Sequence, residues 1–154
     1  MSPEKSAANG SVNGLSHVDE TGAARMVNVG EKPISRRTAT ATVVCRMRPQ
    51  TAEQIQQNTL KKGDVLSVAR LAAIQAAKRT DELIPLCHSL PLDGVEVDFQ
   101  WLSGERLKIS VTASVTARTG VEMEAMVGAW LRCSMMLPCL WLRQRFFVYT
   151  TGAW

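Results

Sequence analysis

Hydrophobic and polar positions alternate most clearly in the middle of this 154-residue chain. Val95, Val97, Phe99 and Trp101 are interleaved with Glu96, Asp98 and Gln100. After a turn at Ser103-Gly104, Leu107, Ile109, Val111, Ala113 and Val115 are interleaved with Lys108, Ser110, Thr112, Ser114 and Thr116. Two period-2 runs around a short turn predict an antiparallel hairpin with one buried face. Upstream, RTATATVVCRM at 37–47 is rich in β-branched residues and reads as another strand. Pro49 is placed to open a helix through Glu53, Ile55 and Gln57, with a loop at 58–62. Asp64 can cap a second helix, ending near Thr80, whose apolar face is Leu66, Ala69, Ala73 and Ala76. Alanines on that face permit close approach to a neighbour. Residues 81–92 hold Pro85 and Pro91 and predict an irregular segment. Thr119-Gly120-Val121-Glu122 has the spacing of a capping box opening a last helix.

Strand, helix, two strands and helix make a two-layer α+β pattern with an antiparallel sheet. A ferredoxin-like sandwich needs one more strand at the end. Phe146 to Thr150 is the one candidate and alternates poorly, so the closing strand is expected to be missing or altered.

Charge changes this picture in one place. All 14 acidic residues lie at or before Glu124, whereas the last thirty residues carry three arginines, three of the four tryptophans and two of the four cysteines. The net charge of +4 is therefore mostly a property of the tail, and no ordered element shows the basic stripe of a nucleic-acid surface. Cys45, Cys87, Cys133 and Cys139 form no CxxC pair, which points to free thiols in a reducing compartment rather than to zinc or a disulfide framework. No run approaches the ~20 apolar residues of a membrane span. The first residues are polar and read as a flexible lead-in, neither secretory nor an arginine-rich presequence.

Three polar clusters sit at the ends of predicted elements. Lys61-Lys62-Gly63-Asp64 puts two cations where a helix begins, as a phosphate site would, although a solvated basic turn would look the same. Lys78-Arg79 falls at the end of that helix, where cations also suit the negative end of the dipole. Leu86-Cys87-His88 follows Pro85, and imidazole is the side chain best suited to proton transfer near neutral pH. A hydrogen-bonded structural histidine is the other reading. Glu122 and Glu124 open the last helix on different sides, so at most one faces any given pocket.

Taken together, LSHVDETGAARMVNV at 15–29, KKGDVLSVARLAAIQAAKRTDELIPLCHSLPL at 61–92 and TGVEMEAM at 119–126 resemble the MoaC family, the cyclic pyranopterin monophosphate synthases of molybdenum cofactor biosynthesis. The likeness divides the chain into a flexible 1–14, a MoaC-like domain at 15–128 and an atypical tail at 129–154. It implies a ferredoxin-like subunit in a hexamer built of dimers, with active sites at dimer interfaces, although the altered tail would disturb that assembly. The implied reaction converts 3′,8-cyclo-7,8-dihydroguanosine 5′-triphosphate into cyclic pyranopterin monophosphate and diphosphate, with no cofactor, metal, nucleic acid or membrane involved. The implied compartment is the cytoplasm, or the mitochondrion in a eukaryote. Matched motif by motif, Lys62, His88 and Glu124 take catalytic positions. Leu86, Cys87, His88, Met123 and Glu124 take substrate-contacting ones, and Lys78 and Arg79 would hold phosphate. These residue types suit the chemistry: cations offset the triphosphate and the departing diphosphate, while His, Lys and Glu exchange protons.

The likeness fades by Trp130. The family's Tyr-Asp-Met-x-Lys segment places an active-site aspartate and lysine where, counting without gaps, this chain has Pro138 and Trp141. Neither can transfer a proton. The expectation is therefore a synthase by family whose own turnover is impaired, with two further roles open: a non-catalytic partner of complete subunits, or an anion-binding module.

Overall fold

The structure, a computed structural model, describes residues 17–18, 21–59, 63–135 and 144–151, and of 131–135 and 144–151 the backbone alone. The elements are β1 (Ser35–Arg46), α1 (Pro49–Gln56), α2 (Val65–Ala77), α3 (Thr80–Leu83), β2 (Gly94–Ser103), β3 (Arg106–Ala117), α4 (Glu122–Met135) and β4 (Gln144–Thr151). They form one antiparallel sheet in the order β2-β3-β1-β4, with α2 and α4 packed against one face. This is the α+β, ferredoxin-like arrangement that the hydrophobic pattern implies.

The hairpin forms because both strands are amphipathic in register. Val97 pairs with Val111 and Phe99 with Ile109. On β3, Leu107, Ile109, Val111 and Val115 are fully buried beneath the helices. Each such side chain contributes roughly 1.5–3 kcal/mol by leaving water. β1, like β3, is paired along both edges, and it presents Ala39, Ala41, Val43 and Cys45 to the same core. Its other face carries hydroxyls, joined across the ladder to β3 as Thr40 Oγ1 to Thr112 Oγ1 at 2.8 Å and Thr42 Oγ1 to Ser110 Oγ at 3.2 Å.

Three local expectations need correction. The closing strand is present: β4 pairs with β1 from Thr38↔Thr151 to Cys45↔Gln144. An edge strand needs only backbone groups facing one neighbour, and Phe146, Phe147, Val148, Tyr149 and Thr150 all suit extended chain, so weak alternation does not prevent pairing. The predicted irregular segment starts with the short helix α3, because α2 ends at Ala77 and the buried Thr80 hydroxyl donates to the Ala77 carbonyl at 3.0 Å. The capping box at Thr119 does not form. α4 starts at Glu122, with the Val121 carbonyl accepting from the Ala125 N–H at 3.2 Å. The Glu122 carboxylate folds back into the space that a side chain at Gly120 would need.

Other expectations hold as drawn. Asp64 caps α2 by accepting from the Leu66 and Ser67 N–H groups, both at 3.0 Å. Pro49 opens α1. Beyond these, Gly22 takes φ +86 at a turn flanked by a Val18–Ala24 bridge. α4 also runs through the composition break without interruption, to Met135.

What sets the helices close to the sheet is their small residues. Ala69, Ala73, Ala76 and Ala77 are buried on α2, and on α4 Gly128 lies against Ala73 and Ala77. A Cβ at Gly128 would lie 3.0 Å from Val111 Cγ1 and 3.3 Å from the Ala73 carbonyl oxygen. Alanine there gains up to about 1 kcal/mol of helix propensity, which offsets part of the crowding. Valine has no comparable offset, and overpacking typically costs about 1–3 kcal/mol. We expect Gly128→Val to lower the unfolding free energy by about 2 kcal/mol or more in urea titrations, and Gly128→Ala by clearly less.

Candidate active site

α4 brings its first turn beside the segment that follows α3, and the sequence-predicted residues divide according to whether they share that place. Glu124 is only 4% exposed although it is a carboxylic acid. Burial raises its affinity for a proton, and the nearby Glu122 and Asp81 carboxylates act in the same direction, against the hydrogen bond from its own backbone amide. Cys87 lies near enough to feel its charge. Burial pushes that thiol up, and the charges of Glu124 and then Asp81 push it further. The thiol is thus held in its neutral form and is a poor nucleophile.

Leu86, just before Cys87, has φ +68. A leucine in the left-handed region is rare and costs on the order of 1–2 kcal/mol, so the surrounding contacts must enforce it. Several do. The Cys87 N–H reaches back to the Ile84 carbonyl at 3.4 Å, and Ser89 Oγ donates to the Asp81 carboxylate, closing the loop against α3. His88 Nε2 lies 2.9 Å from the carbonyl oxygen of Val27, on the strap that precedes β1. Val27 and His88 are both half-buried.

The two cations after α2 differ. Arg79 is committed to Glu82, with its Nε 2.7 Å from Glu82 Oε2 in an exposed ion pair that raises the guanidinium pKa. Lys78 instead lines a cavity of about 370 Å³ together with Ile74, Leu90, Pro91, Leu92, Gly94 and Val95. That cavity begins two residues beyond His88. A larger cavity of about 470 Å³, between α1 and the β2–β3 turn, contains none of these residues. Met123 is half-buried next to Glu124. Lys62, Pro138 and Trp141 lie outside the described residues; Gly63, beside Lys62, has φ +81 and leads into the capped start of α2.

Sequence reasoning missed Asp81, Ser89, Val27 and Arg70. Arg70 sits 5.3 Å from the centroid of the Phe99 ring and donates to the Val97 carbonyl, tying α2 to β2. Its signal was available, since an arginine on a helix facing an aromatic strand invites stacking. Asp81 and Ser89 close a loop with no period, and Val27 acts through its backbone, so nothing in their side-chain pattern marks them. Among the described residues there is no group of three or more His, Cys, Asp or Glu placed to hold a metal, and no helix is long and apolar enough to cross a membrane.

Comparison with known proteins decides the family. The model of the MoaC family matches residues 26–136, which takes in the Val27 strap, the loop of His88 and the whole of α4. The chain belongs to the MoaC family. Among curated MoaC relatives, cyclic pyranopterin monophosphate synthase 1 of Mycobacterium tuberculosis is 51% identical over 112 residues, 73% of this chain and 66% of the relative. Cyclic pyranopterin monophosphate synthase of Novosphingobium aromaticivorans is 51% identical over 115 residues, covering 75% of this chain and 73% of the relative. Cyclic pyranopterin monophosphate synthase 3 of Mycobacterium tuberculosis is 50% identical over 112 residues, 73% of this chain and 63% of the relative. The match thus spans just under two thirds of the mycobacterial MoaC proteins.

The raised pKa of Glu124 has a consequence for stability. The unfolded side chain titrates near 4.5, and the folded one higher. Between those values the native state holds the proton that the unfolded state has released, so stability falls as pH rises through the folded value. Glu124→Gln removes that loss. We expect the variant to melt above the parent at pH 7, with the difference shrinking on acidification and gone below pH 4.5; a scan of melting temperature against pH measures it.

Proposed function

We propose that this chain is a cyclic pyranopterin monophosphate synthase, acting on a cyclic guanosine triphosphate derivative with release of diphosphate. The observation that carries the reading is the buried Glu124 carboxyl facing the Leu86–His88 loop. A carboxyl kept out of water, with further carboxylates acting on it, is costly to a fold that gains nothing from it. An acid so placed holds its proton nearer neutrality, which is what a group exchanging protons with a rearranging ring requires. His88 and Lys62 serve as the other proton-transfer groups. Leu86, Cys87 and Met123 line the substrate, and Lys78 holds phosphate at the cavity it shares with Leu90 and Leu92. Arg79 has a weaker claim, since Glu82 already occupies its guanidinium.

A second reading has its own support in Pro138 and Trp141, which stand where the family's motif has an acid and a base. On that reading the chain binds substrate and joins complete subunits without turning over. Diphosphate release from the cyclic triphosphate by the purified chain separates the two. Family-like turnover favours the synthase. Binding without product, together with co-purification of a complete family member, favours the partner. For an active chain, His88→Ala and Lys62→Ala should each lower kcat by about 10²–10⁴-fold. Lys78→Ala should act mainly through KM, by roughly tenfold or more, and Arg79→Ala by less.

We further propose that the chain works as a homo-oligomer, a hexamer on the family's pattern. Supporting this are Val68 and Leu71 on α2 and Trp130 on α4, which are 59%, 69% and 51% exposed in the single chain. Apolar side chains so exposed on two packed helices suit burial against another subunit. Sedimentation should show an assembly that Leu71→Lys dissociates; a monomeric parent chain at micromolar concentration would refute it.

A further inference from the structure

His88 is held by a group that can only accept. Its Nε2 is 2.9 Å from the Val27 carbonyl oxygen, and a carbonyl has no proton to give, so in this contact Nε2 donates. A neutral imidazole carries one proton. With that proton at Nε2, the lone pair is left on Nδ1. We propose that the strap before β1 locks His88 as its Nε2–H tautomer, which makes Nδ1 the nitrogen that exchanges a proton with substrate and Val27 a positioning residue. This rests on the part given to His88 in the proposed reaction.

The strap is built to hold its carbonyl still. Val27 and Val29 are half-buried while Met26, Asn28 and Gly30 are exposed, the alternation of an extended segment lying along a surface. One end is tied by the Arg25 N–H to the His17 carbonyl at 2.9 Å. At the other, Asn28 Oδ1 accepts from the Gly30 N–H at 2.8 Å and the Lys32 N–H reaches the Val29 carbonyl at 3.1 Å. The histidine is fixed from its own side by Leu86 at φ +68 and by the Ser89–Asp81 hydrogen bond. Strap and loop are 61 residues apart in sequence, so the ring is clamped between two independently braced segments.

The proton count closes through a cycle. Nδ1 accepts a proton from substrate and the ring becomes imidazolium, still donating from Nε2 to Val27. Nδ1 then returns that proton to the product side, and the neutral Nε2–H ring is restored. The carbonyl never exchanges a proton, so its hydrogen bond persists and strengthens while the ring is charged.

The chain has two histidines, so ¹⁵N-histidine labelling of the full chain with His17→Gln leaves one ring to observe. Long-range ¹H–¹⁵N spectra at alkaline pH should show Nε2 protonated and Nδ1 with a lone pair; a protonated Nδ1 overturns the proposal. Val27→Gly, which unpacks the strap, should mix the tautomers and lower kcat by roughly tenfold to a hundredfold with little change in KM. Val27→Ile should keep both properties. A single tautomer and full kcat in the glycine variant would also overturn it. If the Nε2–H ring is found but His88→Ala turns over normally, the lock stands and the role of Nδ1 in the reaction falls with that of His88.

Discussion

The site depends on one close contact between layers. Gly128 lets α4 settle onto Val111 of β3 and the backbone of α2 at Ala73, within a distance that any larger residue would widen. That approach fixes where the first turn of α4 ends up, and Glu124 is in that turn, one helical turn before Gly128. The same packing buries Ala125 and Val121, which leaves the start of the helix little freedom to rotate. The position of a single carboxyl therefore follows from small residues on two helices. The placement of this carboxyl is a packing problem before it is an electrostatic one.

The loop that faces this carboxyl is ordered by a different means. It contributes few core residues and has no periodic pattern. Instead it is held by a chain of polar ties: Thr80 to the end of α2, Asp81 to Ser89, Cys87 to Ile84 and His88 to Val27. Each is worth little alone, on the order of 1 kcal/mol, but together they hold a leucine in a backbone conformation it would otherwise avoid. The site thus joins a helix fixed by close packing to a loop fixed by hydrogen bonds.

Much of this was legible in the residues and some was not. The hairpin from Val95 to Val115 could be read because one face of each strand is buried and the period is unbroken. The start of α2 could be read because Asp64 has a local job. Of Glu122 and Glu124, helix geometry correctly allowed only one to be buried; the actual choice came from tertiary packing. The capping box failed because its glutamate curls over Gly120 and the helix begins only at Glu122, a competition invisible in the motif. The Val27–His88 contact was beyond reach, since a backbone carbonyl has no residue type. β4 was undervalued because alternation was demanded of a strand whose pairing needs only its main chain.

That last strand has a meaning beyond the sheet. β4 joins β1 through backbone groups that every residue except proline can supply, at a place in the chain where the composition has already departed from what comes before. A terminal edge strand is therefore permissive ground for evolution: its text can be rewritten while the architecture is retained. Acid and base groups have no such freedom, because their function resides in side chains. Descent can in this way preserve a protein's shape and its chemistry at different rates.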